Sequence, residues 1–597
     1  MYSVNTKIRD LRETMQNEQV HACIIPSTDP HISEYTPERW KTRAWISGFT
    51  GSAGTIVITK NKAGLWTDSR YFLQAEEQLK GSGIDLYKSG LPETPTFSEW
   101  IVSELSCGDC VGIEGDVYAA SEAKSLIELF SGKKLKVKTD FAPYDLLWEN
   151  RPEIPSNPAF VLSEQYTGKS CREKIREVLV EIKKNEADMT ILAALDSIAW
   201  LFNIRGNDVE YNPVCVSYAV VSENETILFI NPDKLTEEVS EYLHNEGVII
   251  ADYEEITGYI SKIPSGTKVL IASSKINYGL YSILTENCII KEISVHPVDS
   301  LKGIKNETEI AGVRNAMKKD GVAMVKFLID LENFLNKNEK VTELDVEKIL
   351  RKYRSEQVLY FGESFKTIAG FGAHGAIVHY EATEESCATI LPNSVLLVDS
   401  GAQYLDGTTD ITRTISTGRV SDTTKRNFTY VLKGHIQLAS AVFPAGTVGM
   451  QLDILARQFL WKAGQNFLHG TGHGIGCFLN VHEGPQSIRM NHNPVHLESG
   501  MITSNEPGLY LAGEYGIRIE NLILTVKAKS TEFGDFYAFE TLTLCPVDTN
   551  LIDFSLLSSE ETNWLNDYHQ KVYNELSPLL NKKEAEWLKK RTKTIVQ

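Results

Sequence analysis

The sequence predicts a mixed α/β and α+β protein in three regions: an α/β domain over residues 1–153, a second α/β domain related to it over 154–300, and a larger domain bearing the chemistry over 301–597. Three observations carry this. Short apolar runs alternate with amphipathic stretches through the first two regions, which is the grammar of strand–helix layers. Two prolines among polar residues in the segment 150–157 mark a break between them. Eight of the 13 histidines fall between His374 and His496, far more tightly than an even spread would place them.

In the first region Cys23 to Pro26, Thr55 to Thr59 and Val111 to Ile113 read as strands, and Tyr71 to Leu79 as a helix. In the second, Cys171 to Lys184 has helical spacing, while Thr226 to Ile230, Val248 to Ile250 and Lys268 to Ala272 read as strands. Ala44-Trp45-Ile46-Ser47-Gly48-Phe49 and Ala199-Trp200-Leu201-Phe202-Asn203-Ile204 each lead through a glycine-containing turn toward a strand, a faint self-similarity that favours duplication. A long helix is expected from Glu307 to about Asn338. The chain ends in helix, with Trp564, Leu565, Tyr568, Val572 and Leu576 at i, i+4 type spacing and Lys589-Lys590-Arg591 as a solvated face.

Length and charge bound the function. The 597 residues, 42% hydrophobic and 23% charged, supply several packed cores and exclude a single small module. A net charge of −19 repels phosphate backbones and anionic headgroups, so neither nucleic acid nor membrane is expected as a partner. Nine scattered cysteines, no apolar leader and no long apolar run point to reduced thiols in a cytoplasmic protein. Cys107 and Cys110 lack a second ligand pair, so their C-x-x-C reads as a turn. The glycine-rich segment 48–54 lacks the Gly-Lys-Ser/Thr ending of a phosphate loop, and Asn224-Glu225-Thr226 has no meaning as a glycosylation site inside a cell.

The chemistry gathers in the third region. Val395 to Val398 is an apolar strand running into Asp399, and after the turn pair Asp406-Gly407 the stretch Thr408 to Thr414 reads as the return strand, so Asp399 and Asp410 share a hairpin. His469 and His473 are spaced as a helical metal pair, but the glycines at 470, 472, 474 and 476 make a helix costly. In an extended segment His469, Thr471 and His473 share one face. Glu506 precedes a Pro-Gly turn, and Arg518 and Glu520 lie on one face of a strand. Acids inside apolar strands are costly unless paired or bound to metal. Singly, each has an ordinary reading: Asp399 as a strand cap, Asp410 paired with Arg413, His473 in a core, Glu520 paired with Arg518.

Together, two Asp, two Glu and one neutral His make five ligands with four negative charges, which two divalent cations would balance. Oxygen-rich ligation without thiolate favours Mn²⁺, with Co²⁺ or Zn²⁺ also compatible, in a bridged pair ~3.5–4 Å apart. A water between the two ions would be acidified toward neutrality and become the nucleophile.

The segments V-D-S-G around Asp399, T-T-D-I-T-R-T around Asp410, H-G-T-G-H-G-I-G around His473, N-E-P-G-L-Y around Glu506 and I-R-I-E-N around Glu520 resemble the Xaa-Pro aminopeptidases (aminopeptidase P) in order and spacing. L-D-S-I-A-W-L-F-N from Leu195 and W-T-D-S-R-Y-F from Trp66 resemble its three-domain cytosolic members. The resemblance implies two creatinase N-terminal-like domains, a C-terminal pita-bread catalytic domain and a homodimer. It implies metal ligation by Asp399, Asp410, His473, Glu506 and Glu520, and substrate contact by His379 and His482, either of which would hydrogen-bond the developing charge. It further implies that His469 lines the proline side, that Arg518 and Tyr510 support the site, and that Glu506 is a candidate proton shuttle.

The implied activity is release of the N-terminal residue from peptides with proline in second place. A prolidase, cutting only Xaa-Pro dipeptides, is the nearest alternative. A methionine aminopeptidase needs no such N-terminal domains, a metal-free creatinase-like hydrolase would not hold the full ligand set, and a peptide-binding relative without catalysis would have lost ligands.

Overall fold

The computed structural model describes residues 3–596 and gathers them into two compact units. One runs to Ser163 and continues over Lys169–Asp299; the other holds Glu164–Gly168 and the chain from Ser300 on.

The first unit contains two six-stranded sheets of one topology. The first sheet runs, edge to edge, Asp85–Lys88, Ala63–Thr67, Thr55–Thr59, Ala22–Ile25, Cys110–Gly112 and Lys136–Lys138. The second runs Ile249–Ala251, Thr226–Ile230, Ser217–Ser222, Met189–Leu192, Lys268–Ile271 and Ile289–Glu292. In both, successive pairings are parallel, antiparallel, antiparallel, parallel and parallel. All residues of Ala22–Ile25 and Met189–Leu192 are buried, as strands covered on both faces must be.

The short sequence match between the halves falls at equivalent places. Helix Thr42–Ser47 carries Trp45 between the first sheet's Ala22–Ile25 and Thr55–Thr59, and helix Leu195–Phe202 carries Trp200 between Met189–Leu192 and Ser217–Ser222. The first helix ends on left-handed Gly48 (φ 75°), the second on left-handed Asn203 (φ 52°). Asparagine tolerates that backbone because its carboxamide is bonded on both sides, to Lys174 Nζ at 2.7 Å and to the Lys169 carbonyl at 2.9 Å.

The second unit's long helix is Glu307–Asn336, capped by Asn306 and Glu309 in a reciprocal box and ending two residues short of the expected Asn338. Strand Val395–Ser400, wholly buried, lies between Ile368–Phe371 and Ile411–Ser416. A six-stranded sheet orders Val442–Pro444, Gly534–Thr541, Asn521–Thr531, Ile502–Asn505, Gly472–Gly474 and Glu483–Ile488. Helices Asp422–Ala439 and Gly449–Lys462 belong to the same unit, and the helix Ser559–Leu576 buries Leu565, Tyr568, Val572 and Leu576 as its spacing requires. The final basic run divides: Lys589 and Lys590 are exposed, whereas Arg591 pairs with Glu332 at 2.7 Å. Among the described residues no helix is long and apolar enough to cross a membrane.

Candidate metal centre

Asp399 is the penultimate residue of Val395–Ser400, and register opposes it to Thr412 on the neighbouring Ile411–Ser416 strand. The expected return strand Thr408 to Thr414 is interrupted. Asp406-Gly407 instead closes a small inserted hairpin, Ala402–Tyr404 against Gly407–Thr408. Thr409 leaves the ladder because its N–H donates to the Ala402 carbonyl and its Oγ1 accepts from the Ala402 N–H, both at 2.9 Å. Asp410 follows, immediately before the strand that carries Thr412.

His473 sits in the short strand Gly472–Gly474. A Cβ at Gly472 would stand 1.9 Å from the Ser504 carbonyl oxygen, so only glycine lets the two strands approach so closely. The expected shared face of His469, Thr471 and His473 does not form. Strand structure covers only Gly472–Gly474, and Thr471 turns its hydroxyl to Asp453 Oδ1 at 2.6 Å. His473 Nδ1 donates to the Gly474 carbonyl at 3.0 Å, which makes Nε2 the acceptor nitrogen. Nε2 lies 3.5 Å from Asp410 Oδ2 and 3.5 Å from Glu506 Oε1.

Glu506 follows strand Ile502–Asn505, its backbone N–H donating to the Thr471 carbonyl at 2.8 Å and its Oε1 3.3 Å from Ser504 Oγ. Glu520 is not within a strand as expected. It occupies the two-residue joint between Tyr515–Arg518 and Asn521–Thr531, where the chain passes from a two-stranded hairpin into the six-stranded sheet. Its N–H donates to the Thr412 carbonyl at 3.1 Å and its Oε2 accepts from Thr412 Oγ1 at 2.8 Å.

Asp410, His473 and Glu520 each bring a ligand atom within 4.8 Å of the others. Burial, and then the charge of Glu520, pushes the Asp410 and Glu506 carboxyls well above the usual range. Burial followed by the charge of Asp399 pushes Glu520 up to about 7. Crowded buried carboxylates resist ionisation unless cations join them. Asp399 lies outside that group of three, but its Oδ1 is buried without a hydrogen-bond partner, as an oxygen reserved for a cation would be. Donor chemistry, crowding and this orphaned oxygen together fit a divalent metal site.

Arg518 organises the surroundings. Its Nη2 donates to Asp399 Oδ2 at 2.6 Å, its Nε to Thr412 Oγ1 at 3.1 Å and its Nη1 to the Tyr510 hydroxyl at 2.7 Å. That hydroxyl is 2.8 Å from His469 Nε2, so a continuous chain runs from His469 through Tyr510 and Arg518 to Asp399. The His482 ring meets His473 edge-on, centroids 4.3 Å apart. His379 follows Val378, whose carbonyl accepts from Arg518 Nη2 at 3.3 Å. The ordinary pairings fail: Arg413 donates to the Thr412, Glu520, Cys545 and Pro546 carbonyls, and Arg518 pairs with Asp399 rather than Glu520.

Sequence reading missed Thr412, which bridges Arg518 and Glu520, and the pair Asp453 and Arg457. Arg457 donates to the Phe467 and His469 carbonyls at 2.6 and 2.8 Å and so holds the histidine loop. Two opposite charges four residues apart on a helix whose neighbours are apolar were the available signal.

Residues 7–141 and 150–309 each match the Creatinase/Prolidase N-terminal domain, 311–527 match Metallopeptidase family M24, and 535–595 match the C-terminal region of peptidase M24. A probable Xaa-Pro aminopeptidase P from Coprinopsis cinerea is 43% identical over 98% of this chain and 97% of its own length. The chain belongs to the aminopeptidase P family. A second aminopeptidase P relative, from Laccaria bicolor, is also 43% identical, over 99% of this chain and 94% of its own. The crystal structure of X-prolyl aminopeptidase from Caenorhabditis elegans, described as a cytosolic enzyme with a di-nuclear active site, superposes with TM-score 0.95 at 36% identity and covers 100% of each chain. Xaa-Pro dipeptidase from Bacillus anthracis, at 24% identity and TM-score 0.50 over 64% of this chain and 99% of its own, shares the fold alone. Aminopeptidase P architecture, creatinase-type N-terminal domains before a pita-bread metallopeptidase domain, is thus the fold of this chain.

Proposed function

We propose that this hydrolase releases the N-terminal residue from peptides with proline in second place, using two divalent cations held by Asp399, Asp410, His473, Glu506 and Glu520. The observation that supports this is the grouping of Asp410, His473 and Glu520, with Glu506 Oε1 3.5 Å from His473 Nε2 and Asp399 split between Arg518 on one oxygen and an unpartnered second oxygen. Cations bound there would activate water, polarise the scissile carbonyl and offset the four carboxylates; Mn²⁺ suits the oxygen-rich set, with Co²⁺ and Zn²⁺ as alternatives.

The chain's own groups do the rest. Glu506 takes a proton from the attacking water and returns it to the leaving proline nitrogen. His482 or His379 donates a hydrogen bond to the carbonyl oxygen as its charge develops. His469 lines the proline side, supported by Tyr510 and Arg518. Because the bond before proline is a tertiary amide with no N–H, this site selects for the ring and asks no hydrogen bond of that nitrogen. Our reading also places the protein in the cytoplasm as a homodimer, with domain limits 1–153, 154–300 and 301–597.

The test is hydrolysis of Arg-Pro-Pro beside Arg-Pro by chelator-stripped protein resupplied with Mn²⁺. Release of arginine from the tripeptide with little turnover of the dipeptide is expected. Preference for the dipeptide would make it a prolidase, and no cleavage of either with metal bound would overturn the catalytic reading.

A further inference from the structure

We propose that the second unit carries another binding site, for a small amphipathic carboxylate, in a cavity lined in part by the strand Ile411–Ser416. The cavity encloses about 680 Å³ and is walled by the helix Glu307–Asn336, residues from the stretches 413–425 and 546–554, and the C-terminal helix Lys582–Arg591. That volume lies within the ~300–1,000 Å³ of small-molecule pockets. Leu328, Leu331 and Leu335 recur along one stripe of the long helix, and Val547, Phe554 and Trp587 complete an apolar lining.

The charges around this lining do not cancel. Glu332 is satisfied by Trp587 Nε1 at 2.5 Å and Arg591 Nη2 at 2.7 Å. Asp548 is satisfied by the N–H and hydroxyl of Ser416 at 2.8 and 2.6 Å and by the Asn550 N–H at 3.0 Å. Arg413 is spent on backbone carbonyls, Asn521 Oδ1 and the Tyr568 hydroxyl. Arg419 and Lys425 remain, both on the cavity wall and neither in an ion pair among the described residues. Two cations without a carboxylate beside an apolar floor complement an anion with an apolar body, and the planar guanidinium of Arg419 suits a carboxylate.

The wall also reaches the metal centre. Arg413 Nη1 donates to the Glu520 carbonyl at 2.7 Å, and Thr414 Oγ1 exchanges hydrogen bonds with the Arg518 backbone N–H and carbonyl, both at 3.0 Å. An occupant therefore bears on the strand that orients Glu520 and Arg518. This coupling, unlike the binding itself, rests on the proposed catalytic reading.

The test is calorimetric titration of the full Mn²⁺-loaded chain with decanoate, with decanol and inorganic phosphate as controls. Expected are saturable one-to-one binding of decanoate and roughly tenfold or greater weakening for both controls. The double variant Arg419→Ala/Lys425→Ala should weaken decanoate binding roughly tenfold, and Leu328→Trp, which intrudes on the apolar floor, should weaken it as well. No decanoate heat, equal binding of decanol or phosphate, or binding unchanged in the double variant would overturn the site. The rate of Arg-Pro-Pro hydrolysis at saturating decanoate, expected to change in wild type and not in the double variant, reads the coupling. A protein that cleaves nothing yet binds decanoate as described refutes the catalytic reading alone.

Discussion

Arg518 Nη2 lies 2.6 Å from Asp399 Oδ2, while Oδ1 of that carboxylate is buried with no hydrogen-bond partner. A buried oxygen left so costs about 1–3 kcal/mol, which a bound cation recovers. The guanidinium thereby leaves Asp399 with one oxygen committed and the other without a partner, as the proposed metal site requires.

Arg518→Met keeps bulk and removes charge and donors, so Asp399, Tyr510 and Thr412 lose their common partner. Metal affinity should fall roughly 10–100-fold, measured by metal content after equilibration against a graded chelator. Unchanged affinity would show that Asp399 needs no such orientation.

Asp410→Asn should lower two-metal occupancy and turnover together, because it removes a charge of the proposed ligand set 3.5 Å from His473 Nε2. Normal turnover at normal metal content would refute the dinuclear reading.

His482→Ala should retain both metals and lose mainly kcat, since His482 packs on His473 by its ring and is outside the five-residue ligand set. Loss of metal in this variant would move His482 into that set.

The proposed ligand set stands out in the sequence because each member breaks a local rule: acids at the ends of apolar strands, a histidine among alternating glycines. What surrounds it does not. Thr412 is an ordinary β-branched strand residue until the fold sets it between Arg518 and Glu520, over a hundred positions away. The period of two failed over 467–476 because Asp453, on a separate helix, drew Thr471 away from the site. Duplication within the first unit showed in sequence as a repeated strand–helix alternation and two tryptophan-bearing segments, but not as a shared sheet order, since that is set by long-range pairing that local patterns do not record.

Glu343 is a further residue whose role only the fold reveals. Fully buried, it accepts from the Phe371 and Ala388 N–H groups, both at 2.7 Å, from His374 Nδ1 at 2.8 Å and from the Tyr380 hydroxyl at 2.9 Å, so it ties down both sides of His379. Glu343→Gln offers one acceptor oxygen where two serve four donors. We expect kcat/KM for Arg-Pro-Pro to fall at least about tenfold, a loss of 1.4 kcal/mol, with metal content unchanged. Full activity would show that the His379 segment holds its place without this anchor.

His296 sets a pH dependence of stability in the first unit. Its Nε2 is 2.7 Å from Thr190 Oγ1, which donates onward to the Leu270 carbonyl at 2.7 Å, and its Nδ1 accepts from the Val298 N–H at 3.2 Å. A proton on Nδ1 would face that N–H, and burial pushes the imidazole down to about 4, against about 6.5 unfolded. The unfolded chain therefore binds the extra proton first. The stability contributed by neutral His296 is complete above about pH 6.5 and falls as pH drops toward 4, by about 2 kcal/mol at pH 5. Buried Asp29 and Glu114, raised by burial to about 6 and 7, work in the opposite sense, so the whole-protein curve mixes both signs. The difference in unfolding free energy between wild type and His296→Asn isolates the histidine. It should favour wild type at pH 7.5 and shrink by about 2 kcal/mol at pH 5; a difference that does not change with pH would mean that His296 stays neutral in both states or is protonated in both.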